Sequence, residues 1–352
     1  MSSDGTITVV DVARAAGVST ATAARALGNY GSVRPTTLER VRQAADDLGY
    51  RPNALARSMI TRRTLTIGAI IADIENPFFS KAIRGMTDVA RPLGFELILA
   101  NSDEDIRREQ AAVEVMLDKR VDGMIVAPAS ASESAHLAVA MRAGSHVVLI
   151  DRTVPGLDVD TVTMRNRAAA TDAVERLIRA GHRRIGYVSG ARREMSDPTE
   201  NIEPDISTGG ERIAGYLRAL REAGLDADGS YVHIGGPQRD DAARSTHSLL
   251  SLPDRPTALV VADSIIALGA IDAIRAAGLR IPEDVSLVSF DDSSWASVLT
   301  PPLSVIAQPA YELGTSAVRA LLERLEGFDG PPRHTRLPSR FVERGSVGPP
   351  RG

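Results

Sequence analysis

The chain has 352 residues, no cysteine, a formal net charge of -4, 43% hydrophobic and 24% charged residues. That composition reads as a soluble globular protein of two or three domains. It excludes a disulfide framework or a thiolate metal site, so a reducing compartment is expected. No run approaches the roughly 18 apolar residues of a bilayer span, and "MSSDGTITVV" has no basic region leading into an apolar run. A cytoplasmic protein with no membrane partner is expected.

The charge is uneven. Residues 1–63 hold nine arginines against five carboxylates, which leaves the rest of the chain strongly acidic. A small basic head on an acidic body fits a polyanion partner for the head alone, or simply a solvated charged surface.

In chain order, residues 1–50 read as three short helices. Thr8 with Asp11 forms a capping-box pattern, after which Val9, Val12, Ala13 and Ala16 share one face. Gly17 permits a tight turn. Ser19 can cap a second helix with Ala23, Ala26 and Leu27 inward. Pro35 opens a third helix that turns Leu38, Val41, Ala45 and Leu48 inward and ends at Gly49. Two short helices around a glycine turn, closed by a third, make a helix-turn-helix arrangement, although other small helical bundles share the spacing. Residues 51–63, "RPNALARSMITRR", form a junction too short to bury itself.

From residue 64 short apolar runs alternate with helical stretches. Strands are expected at 66–71, 96–100, 123–126, 147–150, 184–188, 258–261 and 285–290. Helices are expected near 78–93, 106–118, 132–143, 166–180, 211–223, 240–251 and 264–277. Such alternation predicts parallel sheets covered on both faces, with enough units for two sheets and a ligand site beyond the strands' carboxyl ends. The closing "RGSVGPPRG" reads as a tail without fixed structure.

Several strings together carry a family resemblance: "DVARAAGVSTATAARAL", "LGYRPNALARSM", "TIGAIIADIENPFF", "VDGMIVAP", "LIDR", "GHRRIGYVSG", "ERIAGYLRAL", "ADSIIALGAIDAI", "VSLVSFDDSSWA" and "TPPLSVIAQP". In this order and spacing, over residues 6–346, the chain resembles the LacI/GalR family of bacterial transcription regulators. The resemblance implies an all-α helix-turn-helix head (1–50), a hinge helix (51–63) and an α/β core (64–346). That core consists of two doubly wound parallel-sheet subdomains, similar to periplasmic binding proteins. The subdomains are expected at about 64–161 with 291–322, and 162–290 with 323–346, followed by a disordered 347–352. The three chain crossings fall near Asp160–Thr163, Ser289–Asp291 and Leu322–Pro331, with the last helix, 311–326, returning to the first subdomain.

By motif position, Thr20, Ala21 and Arg25 would face base edges in the major groove. A guanidinium pairing with both acceptors of guanine is worth about 1–3 kcal/mol of discrimination. A helix of small residues approaches the groove floor closely and leaves polar readout to one arginine. Ser19, Thr22 and Arg34 are candidates for phosphate contacts. In the hinge, Asn53, Ala56 and Met59 match the segment that enters the minor groove, where an apolar wedge kinks the duplex. Ala24 and Gly28 depart from the family's usual serine and asparagine, and Arg34 from its capping serine. The implied partner is a pseudo-palindromic double-stranded operator read by a homodimer, since no heptad pattern supports a tetramer.

The implied effector cleft would use Asp73, Phe78, Asp151, Arg152, Arg212, Asp263 and Asp291, with Arg212 and Asp291 central. Asp73 and Asp263 read equally as caps or hinge bonds, and Phe78 equally as core. Arg165 precedes Asn166 where the family has Asp-Asn, Ala262 replaces an asparagine, and Pro237 stands where an aromatic often stacks on a sugar. The implied effector is a small polar molecule, a sugar or a related metabolite. No cofactor or metal is expected.

Two other functions compete with this reading. An enzyme would need a nucleotide loop, a nucleophile elbow or a metal cluster, and none is legible. His182 reads as a structural residue. A cytoplasmic solute-binding sensor fits the core but leaves the basic head without a role.

Overall fold

The computed structural model describes residues 7–28, 32–50, 63–190, 206–225 and 229–351. The chain divides into two compact units, Met1–Thr66 and Ile67–Gly352. The expected hinge residues Asn53, Ala56 and Met59 lie outside the described residues.

The first unit is a three-helix head: α1 (Val9–Ala15), α2 (Thr20–Gly28) and α3 (Pro35–Asp47). The capping box forms, with Thr8 N–H and Oγ1 both donating to Asp11 Oδ2 at 3.0 and 2.7 Å. At the end of α1, Gly17 N–H donates to Arg14 O at 3.2 Å and Val18 N–H to Ala13 O at 3.0 Å. Gly17 has φ +61°, so this is a left-handed cap that reverses the chain within one turn, a conformation a Cβ would strain. Val12, Ala13, Ala16, Ala23, Ala26, Val41, Ala44 and Ala45 form the core, with Leu27, Leu38 and Leu48 against it. Small residues let three short helices close on one another with little side-chain volume between them.

The second unit holds two six-stranded sheets. The first has the order β11-β5-β4-β3-β1-β2, from β1 (Thr66–Ile71), β2 (Glu96–Asn101), β3 (Gly123–Val126), β4 (His146–Ile150), β5 (Asp160–Met164) and β11 (His334–Leu337). The second has the order β12-β10-β9-β8-β6-β7, from β6 (Ile185–Ser189), β7 (Val232–Ile234), β8 (Ala258–Val261), β9 (Ser286–Phe290), β10 (Ser304–Ala307) and β12 (Arg340–Val342). Strand β12 runs antiparallel to β10, whereas β1, β3, β4, β5 and β11, and β6 to β10, pair in parallel.

Helices cover both faces. Around the first sheet lie α4 (Pro77–Ala90), α5 (Ile106–Asp118), α6 (Ala135–Arg142) and α11 (Ala310–Leu325). Around the second lie α7 (Asn166–Arg179), α8 (Ser207–Glu222), α9 (Arg239–Leu250) and α10 (Ser264–Ala276). The strands therefore bury consecutive residues: along β8, Ala258 and Val260 enter one core while Leu259 and Val261 enter the opposite one. Helices α4 and α11 touch backbone to backbone at glycine. A Cβ on Gly85 would stand 2.2 Å from Tyr311 O, and one on Gly314 would stand 2.0 Å from Ala82 O. Among the described residues no helix is long and apolar enough to cross a membrane.

Three expected boundaries are corrected. The first crossing follows Met164 rather than falling at Asp160–Thr163, because "DTVTM" is itself a strand between β4 and β11. The second lies after Ala307 rather than at Ser289–Asp291. The run 304–307 is a further strand beside β9, so 291–307 belongs to the second subdomain. The third lies between Leu337 and Arg340 rather than at Leu322–Pro331, because β11 still pairs with β5. All three strands are short or polar, and periodicity gave no warning of them. Helix α11 does return to the first subdomain, packing on α4 and β4.

The closing stretch is not a free tail. Ser346 is buried, its Oγ donates to Leu287 O at 2.6 Å and accepts from Ser304 N–H at 2.8 Å. Its carbonyl accepts from Leu287 N–H at 2.9 Å. The stretch lacks apolar periodicity because it contributes backbone hydrogen bonds rather than side-chain volume. Buried His182 joins this cluster: Nε2–H donates to Gly348 O at 2.9 Å, which leaves Nδ1 to accept from Thr257 Oγ1 at 2.8 Å.

Burial holds the His182 imidazole below its ordinary pKa, against the smaller opposing pull of the Gly348 carbonyl. Below about pH 6.5 the unfolded chain therefore takes up a proton more readily than the folded one, and stability falls with acid. Denaturant titrations of the native chain and His182→Gln should show the native advantage shrinking from pH 7 to pH 5. A gap independent of pH would remove His182 as its source.

Candidate functional site

On the head, Ser19 Oγ accepts from Thr22 N–H at 3.2 Å and lies 2.9 Å from Thr22 Oγ1, which fixes the first turn of α2. Beyond this cap, Thr20, Ala21 and Arg25 are exposed while Ala23 and Ala26 are buried on the opposite side. Arg25 Nε donates to Ala21 O at 3.2 Å, so the guanidinium folds along the exposed face of its own helix. Thr22 is half-buried, and Arg34 is exposed just before α3, without a side-chain cap bond. The sequence thus places three candidate reading residues on one bare helical face, flanked by two hydroxyls and an arginine.

In the second unit the strands of both sheets end at a cleft of about 480 Å³. All seven expected residues, Asp73, Phe78, Asp151, Arg152, Arg212, Asp263 and Asp291, line it. Most follow directly from a strand's carboxyl end, where the parallel sheet leaves backbone and side chains open to a ligand. Asp151 after β4 and Asp291 after β9 occupy equivalent places in the two sheets. Each N–H donates to the neighbouring strand, Asp151 to Val162 O at 2.9 Å and Asp291 to Ile306 O at 3.0 Å. Both have left-handed backbones, φ 67° and 73°, which is uncommon for a residue with a Cβ and turns each carboxylate at the strand end.

Arg212 on α8 organises the floor. Its Nε donates to Asn166 Oδ1 at 2.8 Å, Nη1 to Ala262 O at 2.6 Å and Nη2 to Gln308 Oε1 at 3.0 Å. The guanidinium lies 4.1 Å over the Phe290 ring. Gln308 Nε2 in turn donates to Asp291 Oδ1 at 2.7 Å. Arg212 therefore reaches Asp291 through Gln308. On the other wall, Arg152 donates to Glu104 Oε1 at 2.5 Å and Pro128 O at 3.0 Å, with Asp151 Oδ2 at 3.5 Å from Nε.

Asp263 is the N-cap of α10, its Oδ1 accepting from Ile265 and Ile266 N–H at 2.8 and 2.9 Å. Its carboxyl is pushed up to about 7 by burial, despite those N–H bonds, with Asp291 and Glu104 adding repulsion. Burial also raises Asp151 against the pull of Arg152, and Asp291 against the pull of Arg212. Asp73 accepts from Glu75 N–H at 2.9 Å in a local turn. Phe78 is buried edge-on to Phe79 at 5.0 Å, so it is a core residue that also borders the cleft. Each of these three residues thus has a structural partner and also a place in the lining.

Sequence reasoning missed Glu104, Gln308, Ser207 and Lys81. Gln308 stood inside "TPPLSVIAQP" but no strand was recognised before it. Glu104 lies in a polar loop with φ +57° that periodicity does not register. Ser207 and Lys81 join the two subdomains: Ser207 Oγ accepts from Thr153 N–H at 2.9 Å, and Lys81 Nζ donates to Asp292 O at 2.8 Å. No motif announces such contacts, because they exist only once the sheets face each other.

Comparison with known proteins gives matches in both units. Residues 8–53 match the bacterial regulatory proteins of the lacI family, and residues 174–347 match a periplasmic binding protein-like domain. Catabolite control protein A of Priestia megaterium is 33% identical over 341 residues, covering 97% of this chain and 99% of that protein. The HTH-type transcriptional repressor CytR of Escherichia coli (strain K12) is 33% identical over 342 residues, covering 96% and 93%. Among solved structures, the transcriptional regulator CelR–cellobiose complex superposes with a TM-score of 0.72 at 29% identity, covering 97% of this chain and 99% of that one. The helix-turn-helix head, the two-sheet core and near-full-length relatives together show that this chain belongs to the LacI family of bacterial transcriptional regulators.

Proposed function

We propose that the chain is a homodimeric, sequence-specific repressor whose operator affinity is set by a small polar effector in the cleft. The observation that carries this reading is the bare face of α2, with Thr20, Ala21 and Arg25 exposed over buried alanines, in the same chain as a ligand-sized cleft. Arg25 reads a guanine, Thr20 and Ala21 contact neighbouring bases, and Ser19, Thr22 and Arg34 hold phosphates. Paired hinges, with Asn53, Ala56 and Met59 in the minor groove, make the operator a pseudo-palindrome. The protein has no catalytic role and works in the cytoplasm, where its DNA lies. The named repressor among its relatives and the sugar in CelR support the reading.

In the cleft, Asp151, Arg152, Arg212 and Asp291 face the effector's polar groups, and Asp73, Phe78 and Asp263 complete the lining. A ligand that touches Arg212 or Gln308 acts on the chain where it crosses between subdomains, and so changes how they close. Closure alters the spacing of the two heads in the dimer, which converts ligand binding into a change in DNA affinity. A solute-binding sensor would share the cleft but make no use of Arg25.

Two measurements test this. Against a site selected from random duplexes, Arg25→Ala should lose about 1–3 kcal/mol of discrimination while keeping salt-sensitive non-specific binding. Unchanged site preference would remove Arg25 from the reading face. Operator titrations with pentoses, hexoses and disaccharides should reveal at least one that shifts the affinity. A constant affinity throughout would contradict the effector role.

A further inference from the structure

We propose that the cleft is built for a monosaccharide-sized ligand bearing a protonated amine, an amino sugar, whose ammonium group sits among the carboxylates of Asp151, Asp263 and Asp291. The inference rests on the effector reading above and narrows it to one chemical class.

The cleft's charge is lopsided. Among the described residues, seven carboxylates line it against three arginines. Each arginine already holds protein acceptors: Arg108 pairs with Asp103, Arg152 with Glu104 and Pro128 O, and Arg212 with Asn166, Ala262 O and Gln308. Among the described residues a phosphorylated or carboxylated ligand would find the buried Arg152 Nε, which has no hydrogen-bond partner, outweighed by the surrounding carboxylates. A neutral polyol can bond to carboxylates but leaves their mutual repulsion in place. An ammonium group supplies three donors and a compensating charge.

The carboxylates are held for this purpose by the fold. They come from three strand ends, β4, β8 and β9, which converge from both subdomains on one space. Asp263 spends Oδ1 on the α10 cap, and Asp151 meets Arg152 only at 3.5 Å. Glu104 Oε2 is buried without a hydrogen-bond partner. Around Asp263 the charged neighbours are Asp291 from β9 and Glu104 from the loop after β2, both of the same sign. Arg212 on α8 acts on the Tyr187 hydroxyl of β6, which also senses Asp263. Asp263 pushed up to about 7 is partly protonated at neutral pH, so a bound ammonium draws off that proton. Affinity for the ammonium form then rises with pH as Asp263 ionises.

The test uses the full chain and isothermal titration with two matched sets: glucose, glucosamine and glucuronate, and galactose, galactosamine and galacturonate. A hexosamine should bind about tenfold or more tighter than its parent hexose at pH 7. Its affinity should rise by up to about tenfold between pH 6 and pH 7, the limit for one proton. The uronates should not bind. Asp263→Asn keeps the helix cap, because asparagine caps as well as aspartate. It should abolish the pH rise and bring the hexosamine toward its hexose. Calorimetry without ligand checks that the variant is folded, and Asp291→Asn provides a second reduction in charge. Failure of both hexosamines to bind, or a hexose or uronate binding as tightly, overturns the inference. A hexose or uronate that binds and shifts operator affinity would remove only the amine and leave the regulator reading intact.

Discussion

The guanidinium of Arg212 is the interaction on which the core depends. It is buried, stacked on Phe290 and bonded to three groups that belong to different parts of the chain. Asn166 opens the helix after the first crossing, Ala262 directly follows β8, and Gln308 lies in the second crossing. A buried cation left without partners costs several kcal/mol, so these groups are held to its geometry. Lysine would keep the charge but lose the planar fork that reaches all three.

That arrangement explains why the cleft is both preformed and responsive. Gln308 passes the constraint to Asp291, whose left-handed backbone is tolerated because its surroundings fix it. Thr153 to Ser207 and Lys81 to Asp292 span the two subdomains directly. Each is a single hydrogen bond, worth about 1 kcal/mol net, so closure is a balance of small terms that a ligand can shift. The two sheets themselves are packed on both faces and do not share that sensitivity.

Much of this was legible in the sequence because it follows from spacing. Gly17 and Ser19 marked the turn of the head, and the alternation of apolar runs with amphipathic helices marked two parallel sheets. All seven residues assigned to the cleft by motif line it. The boundaries between subdomains were less legible. "DTVTM" has only two apolar residues, "SVIA" is four residues long, and 334–337 is largely polar, so none stands out from a loop by composition. Each is a strand because a neighbour offers a ladder, which is a tertiary cause. Ser346 and Gly348 were misread as a free tail for the same reason: their contribution is backbone hydrogen bonding, which polarity does not reveal.

Native-state hydrogen exchange on the full chain carrying Arg212→Lys would test the central role of this guanidinium most directly. The expected result is faster exchange confined to the crossings, at residues 164–169 and 307–313, with the middle strands of both sheets protected as in the native chain. Unchanged exchange at both crossings, or a uniform loss of protection across the second sheet, would contradict it.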